Sequence, residues 1–539
     1  MTEKMKTACF NLVDEPWLPA TLAENFPDAK SRGPLPRISL REAFEQGDKI
    51  VDLRCYPHER IALMRLLICI AQRALNGPED ENDWKKCRER LASEAVAYLD
   101  KHTDSFNLFG DEPRFLQAKP RSKATTFSTQ KFRFIDEDGT TLFDGHVQPR
   151  CRLSSAELTV GLVTFQSFAA GGRVEGASDS LPAGLCREGS ALHAILLGGS
   201  LRETIWLNLV SMDQVAENRA VVFGDASWHG DKDADKSYLY RLAPTARNLW
   251  LADDGAFVDG RGGKRFLTFE RDSVRELTAS IRTRRKGSPR ATESEELVSG
   301  TAGAGVPKAA WRELHALAVL RSSQRRGGPP ALQHSITLQA ANGNAATHLW
   351  CGALIGGGKG RVAGVGDVIE SVFRLPVRFL ADVEAALADN PRNCPGPNQT
   401  YRTGVKLAED WSDRLQDAVY AYHAKLADAE RGKKVKNKVA MRYWTALEHR
   451  AEPVLLHDVA VRSDRYWSSD AHWMARSPWG NEVIRAAHDA YNFACPHGTP
   501  RQLRAYAAGL AVLTGENRRK SASTIEADDG KDSTEGDES

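Results

Sequence analysis

The sequence predicts an α+β protein in which a large mixed N-terminal domain, about residues 1–365, precedes an all-α helical bundle, about residues 366–515. Three observations predict this architecture. The chain has 539 residues, more than one ordinary hydrophobic core organises, so we expect two or three domains. Up to about residue 360, short apolar runs alternate with glycine and proline. From about Asp367, apolar residues recur at helical spacing over long segments.

The N-terminal region contains both strand-like and helix-like runs. Residues 265–270 and 335–341 alternate apolar and polar side chains, which is typical of half-buried strands. The apolar runs 189–199 and 202–210 are too short for their period to separate strand from helix. The most apolar segment, residues 61–75, is too short to span a membrane and contains two arginines, so it predicts a buried helix.

The C-terminal region predicts a bundle of about four helices. Helical patterns cover residues 367–389, 401–430, 437–459, 478–495 and 499–513. The second pattern carries an apolar stripe at steps of mostly three or four residues, formed by Val405, Leu407, Trp411, Leu415, Val419, Tyr422 and Leu426. The last pattern begins with an N-cap, a first-turn proline and a capping-box residue, which are Thr499, Pro500 and Gln502.

The formal net charge of +2 hides an asymmetry. Residues 521–539 contain seven acidic residues and one lysine, which leaves about +8 on the rest of the chain. We expect residues 516–539 to form a disordered acidic tail, because they have almost no apolar surface to bury. A basic body attracts polyanions where its charges cluster.

The N-terminal residues and the cysteines bear on location and cofactors. The first twenty residues lack the apolar core of a secretory signal, so we expect a cytoplasmic protein. Nine scattered cysteines lack the two-residue spacing of a zinc ribbon or a redox site. We therefore expect reduced thiols, no structural metal and no cofactor.

Three basic clusters are candidates for contact with nucleic-acid phosphates. Two lie in the α+β region, around residues 282–290 and 321–326, and the third, residues 431–438, is predicted to join two bundle helices. Such clusters release counterions when they neutralise phosphates. The alternative is a set of solvated loops. The candidate side chains in the first and third clusters are Arg282, Arg284, Arg285, Lys286, Lys433, Lys434 and Lys436.

A glycine-rich segment, residues 352–364, invites comparison with a phosphate-binding loop. Ala353 and Gly360 stand where a Walker loop requires a glycine and a magnesium-binding hydroxyl, so nucleotide hydrolysis is not predicted. A hairpin that presents Lys359 and Arg361 next to small residues would still approach DNA closely. A flexible turn is the alternative interpretation.

A second glycine-containing stretch, "TFQSFAAGGRVEG", covers residues 164–176. Gly171 and Gly172 follow Phe165 and Phe168, which we expect to anchor the chain in the core. From the residues alone, the two glycines either turn the chain or present bare backbone to a ligand.

Catalytic signatures are weak in this sequence. Two His-Asp dipeptides, at residues 457–458 and 488–489, match part of the pattern of metal-dependent HD phosphohydrolases. No nucleophile elbow or metalloprotease helix is found. We predict no catalytic residue and no metal ligand. The alternatives left open are an HD-type metal-dependent phosphohydrolase or nuclease, and a protein-binding scaffold without DNA contacts.

Several stretches, taken in order, resemble one known family. "FNLVDEPWLPA" covers residues 10–20 and "FNLFGDEPRFLQ" covers residues 106–117. Further matching stretches follow at residues 140–172, 196–210, 246–255, 440–456 and 494–510. Together they resemble the CasA family, the large subunit of the type I-E CRISPR effector complex Cascade.

The resemblance implies a non-catalytic role in RNA-guided defence. A CasA-like subunit recognises the protospacer-adjacent motif (PAM) in double-stranded target DNA, helps to unwind the duplex for pairing with the guide RNA, and recruits the effector nuclease. The implied partners are target DNA, the guide RNA (crRNA) ribonucleoprotein, the backbone, 5′-handle-binding and small subunits of Cascade, and a recruited or built-in nuclease.

The resemblance also implies a glycine loop that reads the minor groove. Position by position, that loop falls on Ala169, Ala170, Gly171 and Gly172, and Arg173 is placed to hold a neighbouring phosphate. Small residues suit this role, because they let backbone approach the sparse minor-groove pattern.

The other two PAM-reading features of the family are less well matched. The wedge hairpin falls near Gly357, Gly358 and Lys359, where amide-bearing residues would be expected. The family's PAM-reading lysine has no clear counterpart, and its candidates are Arg271, Arg275 and the cluster at 282–286. The cysteine-rich zinc knuckle of some members is absent from this sequence.

Overall fold

We analysed a computed structural model of the chain. It describes residues 10–118, 125–129, 132, 153–168, 172–173, 180–181, 192–217, 222–229, 237–245, 248–252, 256–260, 279–280, 309–314, 346–356, 365–376, 397–457, 459 and 471–515. Contacts between residues divide the chain into two units, Met1–Ala381 and Asp382–Ser539.

The first unit mixes helices and strands. Its described helices are α1 (Leu40–Glu45), α2 (Pro57–Ala74), α3 (Glu81–Lys101), α4 (Ser155–Phe168), α5 (Leu201–Leu207), α6 (Met212–Glu217) and α7 (Tyr238–Leu242). Its described strands are β1 (Leu18–Leu22), β2 (Arg37–Ile38), β3 (Ile50–Leu53), β4 (Thr125–Ser128), β5 (Gly172–Arg173), β6 (Ser180–Leu181), β7 (Leu192–Leu197), β8 (Asn248–Leu251), β9 (Ala256–Gly260), β10 (Ala279–Ser280), β11 (Ala346–Gly356) and β12 (Val365–Pro376).

These strands pair antiparallel in small sheets. The described orders are β2-β1-β3, β10-β7-β11-β12, β4-β9-β8 and β5-β6. Strand β11 lies inside the four-stranded sheet, where β7 and β12 flank it. The longest pairing is therefore the β11–β12 hairpin, and β7 supports it along one edge.

Helix α2 lies at the centre of the first unit. Pro57 occupies its first turn, and the Glu59 side chain accepts a hydrogen bond of 3.0 Å from the Tyr56 backbone amide, which fixes the start of the helix. The helix is buried on most sides and packs against α3, α4, α5, α7 and β11. The prediction of a buried helix over residues 61–75 is confirmed.

The second unit is helical in its described part. Four long helices are α8 (Pro397–Lys425), α9 (Ala429–Arg450), α11 (Pro478–Ala494) and α12 (Pro500–Thr514), with the short α10 (Ala471–Ala475) and a π-helical turn at Ala451–Leu456. Most of the predicted stripe on α8 is buried. The predicted start of α12 is confirmed, because Thr499 and Gln502 form a reciprocal capping box. The α+β class with C-terminal helices is likewise confirmed.

One predicted helix is wrong in its first part. Residues 367–376 belong to strand β12, which pairs with β11 over its whole length. The apolar residues of this segment also fit alternation, since Phe373 and Leu375 are buried while Arg374 is exposed. The helical region of the structure is therefore described from Pro397 onward. The strand-like runs predicted at 265–270 and 335–341 lie outside the described residues.

In the part of the chain that the structure describes, no helix combines the length and apolar character needed to cross a membrane.

Candidate nucleic-acid interface

The segment before the predicted glycine loop is a helix buried in the first unit. Every residue of α4 from Leu158 to Phe168 is buried. The ring of Phe165 lies 5.4 Å from that of Phe132, centroid to centroid, and the Gln166 side-chain amide donates 2.7 Å to the Leu116 carbonyl. Core packing and a long-range hydrogen bond therefore fix the end of α4, as the predicted aromatic anchor requires.

A short paired strand follows this helix almost at once. The backbone of Gly172 and Arg173 forms β5, which pairs with Ser180 and Leu181 of β6. Ala169, Ala170 and Gly171 lie outside the described residues. Only three residues separate the last residue of α4 from β5, so the predicted loop is confined by described structure at both ends.

The predicted wedge residues link two long strands. Residues of β11 and β12 pair from Ala346↔Pro376 to Gly356↔Val365. Gly357, Gly358, Lys359 and Arg361 belong to the connection between these strands and lie outside the described residues. The expectation of a hairpin around "GGGKG" agrees with this pairing, while contacts of its tip with DNA stay a prediction.

A tryptophan braces the hairpin below that connection. The Trp350 indole N–H donates 2.8 Å to the Glu370 carboxylate on the neighbouring strand. Its ring covers Gly352, where an added Cβ would collide with the six-membered ring. The guanidinium of Arg60 lies 5.5 Å from the ring centroid. The absence of a side chain at Gly352 thus lets one aromatic ring tie the two strands together.

The third basic cluster lies within a helix, so its prediction as a connection between helices is wrong. Residues 431–438 form the early turns of α9, and the turn from α8 is confined to residues 426–428. The Asp428 side chain caps α9 by accepting a hydrogen bond of 3.4 Å from the Arg431 amide. Lysine and arginine are good helix formers, which explains why the cluster continues the helix.

The three lysines predicted in this cluster have different surroundings. Lys433 forms an ion pair of 2.8 Å with Glu430, and this hydrogen bond raises the pKa of the lysine. Lys436 is half-buried, at helical spacing from the buried Gly432 and Val439. Lys434 is exposed. Of the three, Lys434 is therefore the most accessible for a polyanion.

Helical spacing joins Lys434 to other exposed cations. Arg431, Lys434, Lys438 and Arg442 are all exposed and follow one another at steps of three, four and four residues. We call these four residues the basic stripe. The Arg442 guanidinium lies 4.1 Å from the ring centroid of Phe493 on α11, whose side chain is 70% exposed. Arg442 is not among the residues predicted from the sequence, although its four-residue spacing from Lys438 indicates the same face of a helix.

The other predicted site residues lie outside the described part of the chain. They are Arg271, Arg275, Arg282, Arg284, Arg285 and Lys286. Their roles stay predictions.

The residues considered for metal chemistry are scattered. Among the described residues, no group of three or more histidine, cysteine, aspartate and glutamate side chains is arranged to hold a metal ion. His488 lies beside Trp411, with 6.2 Å between ring centroids, and Asp458 is outside the described residues. The described cysteines are free thiols, and burial raises the pKa of Cys495 to about 12. A thiol with that pKa is a poor nucleophile at neutral pH.

Comparison with known proteins decides the family. The model of the CRISPR-associated protein Cse1 family matches residues 11–490. The chain belongs to the Cse1 family. The resemblance to CasA is thereby confirmed, since solved relatives carry both names. No curated protein sequence matches this chain.

Solved structures share the fold of this Cse1 protein at low sequence identity. CasA (Cse1) from Thermus thermophilus is 19% identical, with a TM-score of 0.65, 94% of this chain covered and 98% of that chain. Cse1 from Acidimicrobium ferrooxidans is 19% identical, with a TM-score of 0.64 and coverages of 95% and 98%. A chain of a CRISPR RNA-guided surveillance complex is 18% identical, with a TM-score of 0.63 and coverages of 94% and 99%.

Proposed function

We propose that this protein is the non-catalytic large subunit of a type I-E-like Cascade complex. In this role it recognises the PAM in double-stranded target DNA, helps to unwind the duplex for guide RNA pairing, and recruits the effector nuclease. Family membership supports the coarse role of a large subunit in a CRISPR surveillance complex. Guide RNA and the other Cascade subunits are the partners that this role requires.

The observation that carries the PAM-reading proposal is the support around residues 169–173. A helix buried along eleven consecutive residues ends at Phe168, and the backbone of β5 is paired from Gly172 onward. A loop held at both ends by ordered structure loses little conformational entropy when it meets DNA. Alanine and glycine residues leave room for the backbone at the minor-groove floor, where few groups distinguish base pairs. Arg173 would bind an adjacent phosphate.

The β11–β12 hairpin supports the unwinding role in the same way. Its strands are paired along their full length and braced by Trp350, so a force on the tip is transmitted to a sheet. Inserting protein between base steps costs a few kcal/mol of stacking free energy per step. In this proposal Gly357 and Gly358 allow close approach, and Lys359 and Arg361 bind phosphates or minor-groove acceptors.

Bulky substitution of the glycine loop tests PAM reading. The variants Gly171→Leu and Gly172→Leu should lower affinity for PAM-containing duplex by about 5- to 150-fold, because one lost base contact costs about 1–3 kcal/mol. Assembly with crRNA and the other subunits should survive. The measurement is a gel-shift titration of the purified complex with matched duplexes that contain or lack the PAM.

Gly498→Leu is the matched control, because a Cβ at this glycine has no neighbour closer than 3.9 Å. It should bind as the unmodified protein does. Unchanged PAM-dependent affinity of the loop variants, in complexes of normal composition, would remove the loop from the proposed site.

Charge reversal in α9 tests the phosphate contacts. The substitutions Lys433→Glu, Lys434→Glu and Lys436→Glu should weaken binding to every duplex without altering the order of preferred PAM sequences, because phosphate contacts carry no base information. Lys434→Glu should have the largest effect of the three, since Lys433 is paired with Glu430 and Lys436 is half-buried. A changed PAM ranking in a competition assay would contradict a phosphate role.

A further inference from the structure

Helix α9 has a strongly basic exposed face. Its 22 residues contain seven arginines and lysines against two glutamates. The basic stripe, Arg431, Lys434, Lys438 and Arg442, extends over about 17 Å at a rise of about 1.5 Å per residue. Residues three and four apart are neighbours on a helix surface, so these like charges repel one another. An anionic partner along the stripe would relieve this repulsion.

The structure gives the stripe no such partner within the second unit's described residues. Neither Lys434 nor Lys438 forms an ion pair with any carboxylate in the described part of residues 397–515. Glu430, which lies beside the stripe, is already bonded to Lys433. The stripe is thus an exposed row of cations that ends at the cation–aromatic contact between Arg442 and Phe493.

The chain itself contains a complementary polyanion. Residues 521–539 have seven acidic side chains and one lysine, and they follow α12 closely in the sequence. We propose that this acidic segment docks on the basic stripe of α9 and competes there with other polyanions. Blocks of like charge in sequences are often interaction tails, and here a surface of opposite sign lies on the same unit.

The helices bring the start of the segment within reach of the stripe. Arg501, near the start of α12, donates 2.8 Å to the Leu426 carbonyl at the turn between α8 and α9. Tyr443 of α9 donates 2.9 Å to the Ala408 carbonyl of α8. Gly509, later in α12, lies against the Ala418 carbonyl of α8. Both α9 and α12 therefore pack along α8, each antiparallel to it, and α12 ends about level with the middle of α9, near Lys438.

Chain length permits the contact. The first acidic side chain of residues 521–539 is Glu526, which is eleven residues beyond Gly515, and eleven extended residues span about 36 Å. One helix with its side chains is about 10–12 Å wide. The segment is therefore long enough to pass around α8 and still reach Arg442 and Lys438.

The energetics favour a reversible contact. Each exposed ion pair stabilises the contact only weakly, because solvent and salt screen it. A covalent tether raises the effective concentration of the segment to roughly millimolar, which compensates for weak pairing. Double-stranded DNA carries one charge per about 1.7 Å and competes for the same cations. It would displace the segment only where the protein also makes other contacts with the DNA, in addition to those between the stripe and the phosphates. The docked segment would then suppress weak, sequence-independent DNA binding.

Zero-length carbodiimide cross-linking of the full chain tests the docking without any DNA. At low salt, mass spectrometry should find Lys434 and Lys438 joined to carboxylates of residues 526–538, and these links should disappear at about 0.5 M salt. Lys406 and Lys425 are matched controls, because both are exposed lysines on α8. Links that form equally with the control lysines, or that vanish on dilution because they join two molecules, would overturn the proposal.

A coupling experiment tests the competition. Deleting residues 521–539 should tighten binding of duplex DNA without a PAM by about tenfold at low salt. In the Lys434→Ala, Lys438→Ala background the same deletion should change affinity less than about twofold. In the Lys406→Ala, Lys425→Ala background the full tenfold effect should remain. Equal effects in all three backgrounds would assign the segment's action to overall charge and refute docking on the stripe.

The two tests separate this inference from the proposed function. If the protein does not read the PAM, the cross-links and the coupling still appear. If the segment does not dock, the response of PAM binding to Gly171→Leu is unaffected.

Discussion

Buried ionisable side chains connect the central helix of the first unit to its neighbours. Arg65 of α2 is 2% exposed, donates a hydrogen bond to the Arg241 carbonyl in the last turn of α7, and lies 3.3 Å from the imidazole of His193 on β7. A buried guanidinium is tolerated where acceptors surround it, and its removal leaves those acceptors unsatisfied. The same helix contains His58, which is 3% exposed. Burial lowers the pKa of His58 to about 4.

The lowered pKa of His58 predicts a specific loss of stability in acid. Above about pH 6.5 the histidine is neutral in both the folded and the unfolded chain, so it contributes no pH dependence. As the pH falls below 6.5, His58 becomes protonated in the unfolded chain but stays neutral in the folded protein. The free energy of unfolding therefore falls until the pH approaches 4. At pH 5 the loss from this residue should be about 2 kcal/mol.

Urea unfolding of the unmodified protein and of His58→Gln at pH 7.5 and pH 5 measures this effect. Carboxylates titrate alike in both proteins, so the difference between the two pH dependences isolates His58. Equal losses in the two proteins would show that His58 takes up its proton in the folded state as readily as in the unfolded chain.

At the scale of elements, the β11–β12 hairpin depends on one glycine. A side chain at Gly352 would displace the Trp350 ring and with it the hydrogen bond to Glu370. Gly352→Val should therefore lower the free energy of unfolding by about 2 kcal/mol or more, even though valine favours strands, because overpacking a buried ring costs about 1–3 kcal/mol. Hydrogen exchange of the β11 and β12 amides should accelerate. Val372→Thr is the control, because Val372 is 49% exposed; similar exchange rates in both variants would contradict the account.

The same hairpin shows where local sequence is ambiguous. Ile369, Val372 and Phe373 satisfy helical spacing, and alternation of buried Phe373 and Leu375 with exposed Val372 and Arg374 satisfies a strand. Pairing with β11 decides between them, and the segment's own pattern carries no information about that partner.

Elements whose signals are local were predictable. The capping box at Thr499 and the apolar run of α2 each specify their own helix, and the structure confirms both predictions. The basic run at 431–438 looked like a loop because it is polar, yet its residues are good helix formers behind an Asp428 cap. The basic stripe could not be predicted from the sequence, because its four residues share one face only if a single helix extends from Arg431 to Arg442.

At the scale of the whole molecule, the sequence predicts the family, because short stretches that resemble it occur in order along nearly the entire chain. The sequence predicts the candidate nucleic-acid interface only in part. The glycine loop was placed by resemblance, and its physical support, the buried α4, emerges from packing with Phe132 and Leu116. The two units have separate cores, with Trp17, Trp84 and Trp350 buried in the first and Trp479 in the second. Separate cores predict separate unfolding.

Two glycine substitutions test that independence. Gly161 of α4 and Gly509 of α12 are both helical, where alanine normally gains about 1 kcal/mol over glycine. Here an added Cβ would lie 2.6 Å from the Cβ of Phe132 in the first unit, and 2.6 Å from the Ala418 carbonyl oxygen in the second. Gly161→Ala and Gly509→Ala should each lower the midpoint of a different calorimetric transition, because overpacking outweighs the helical gain. In the double variant the two shifts should add, as expected for distant sites. A single transition that moves with either substitution would show instead that the two cores unfold as one cooperative structure.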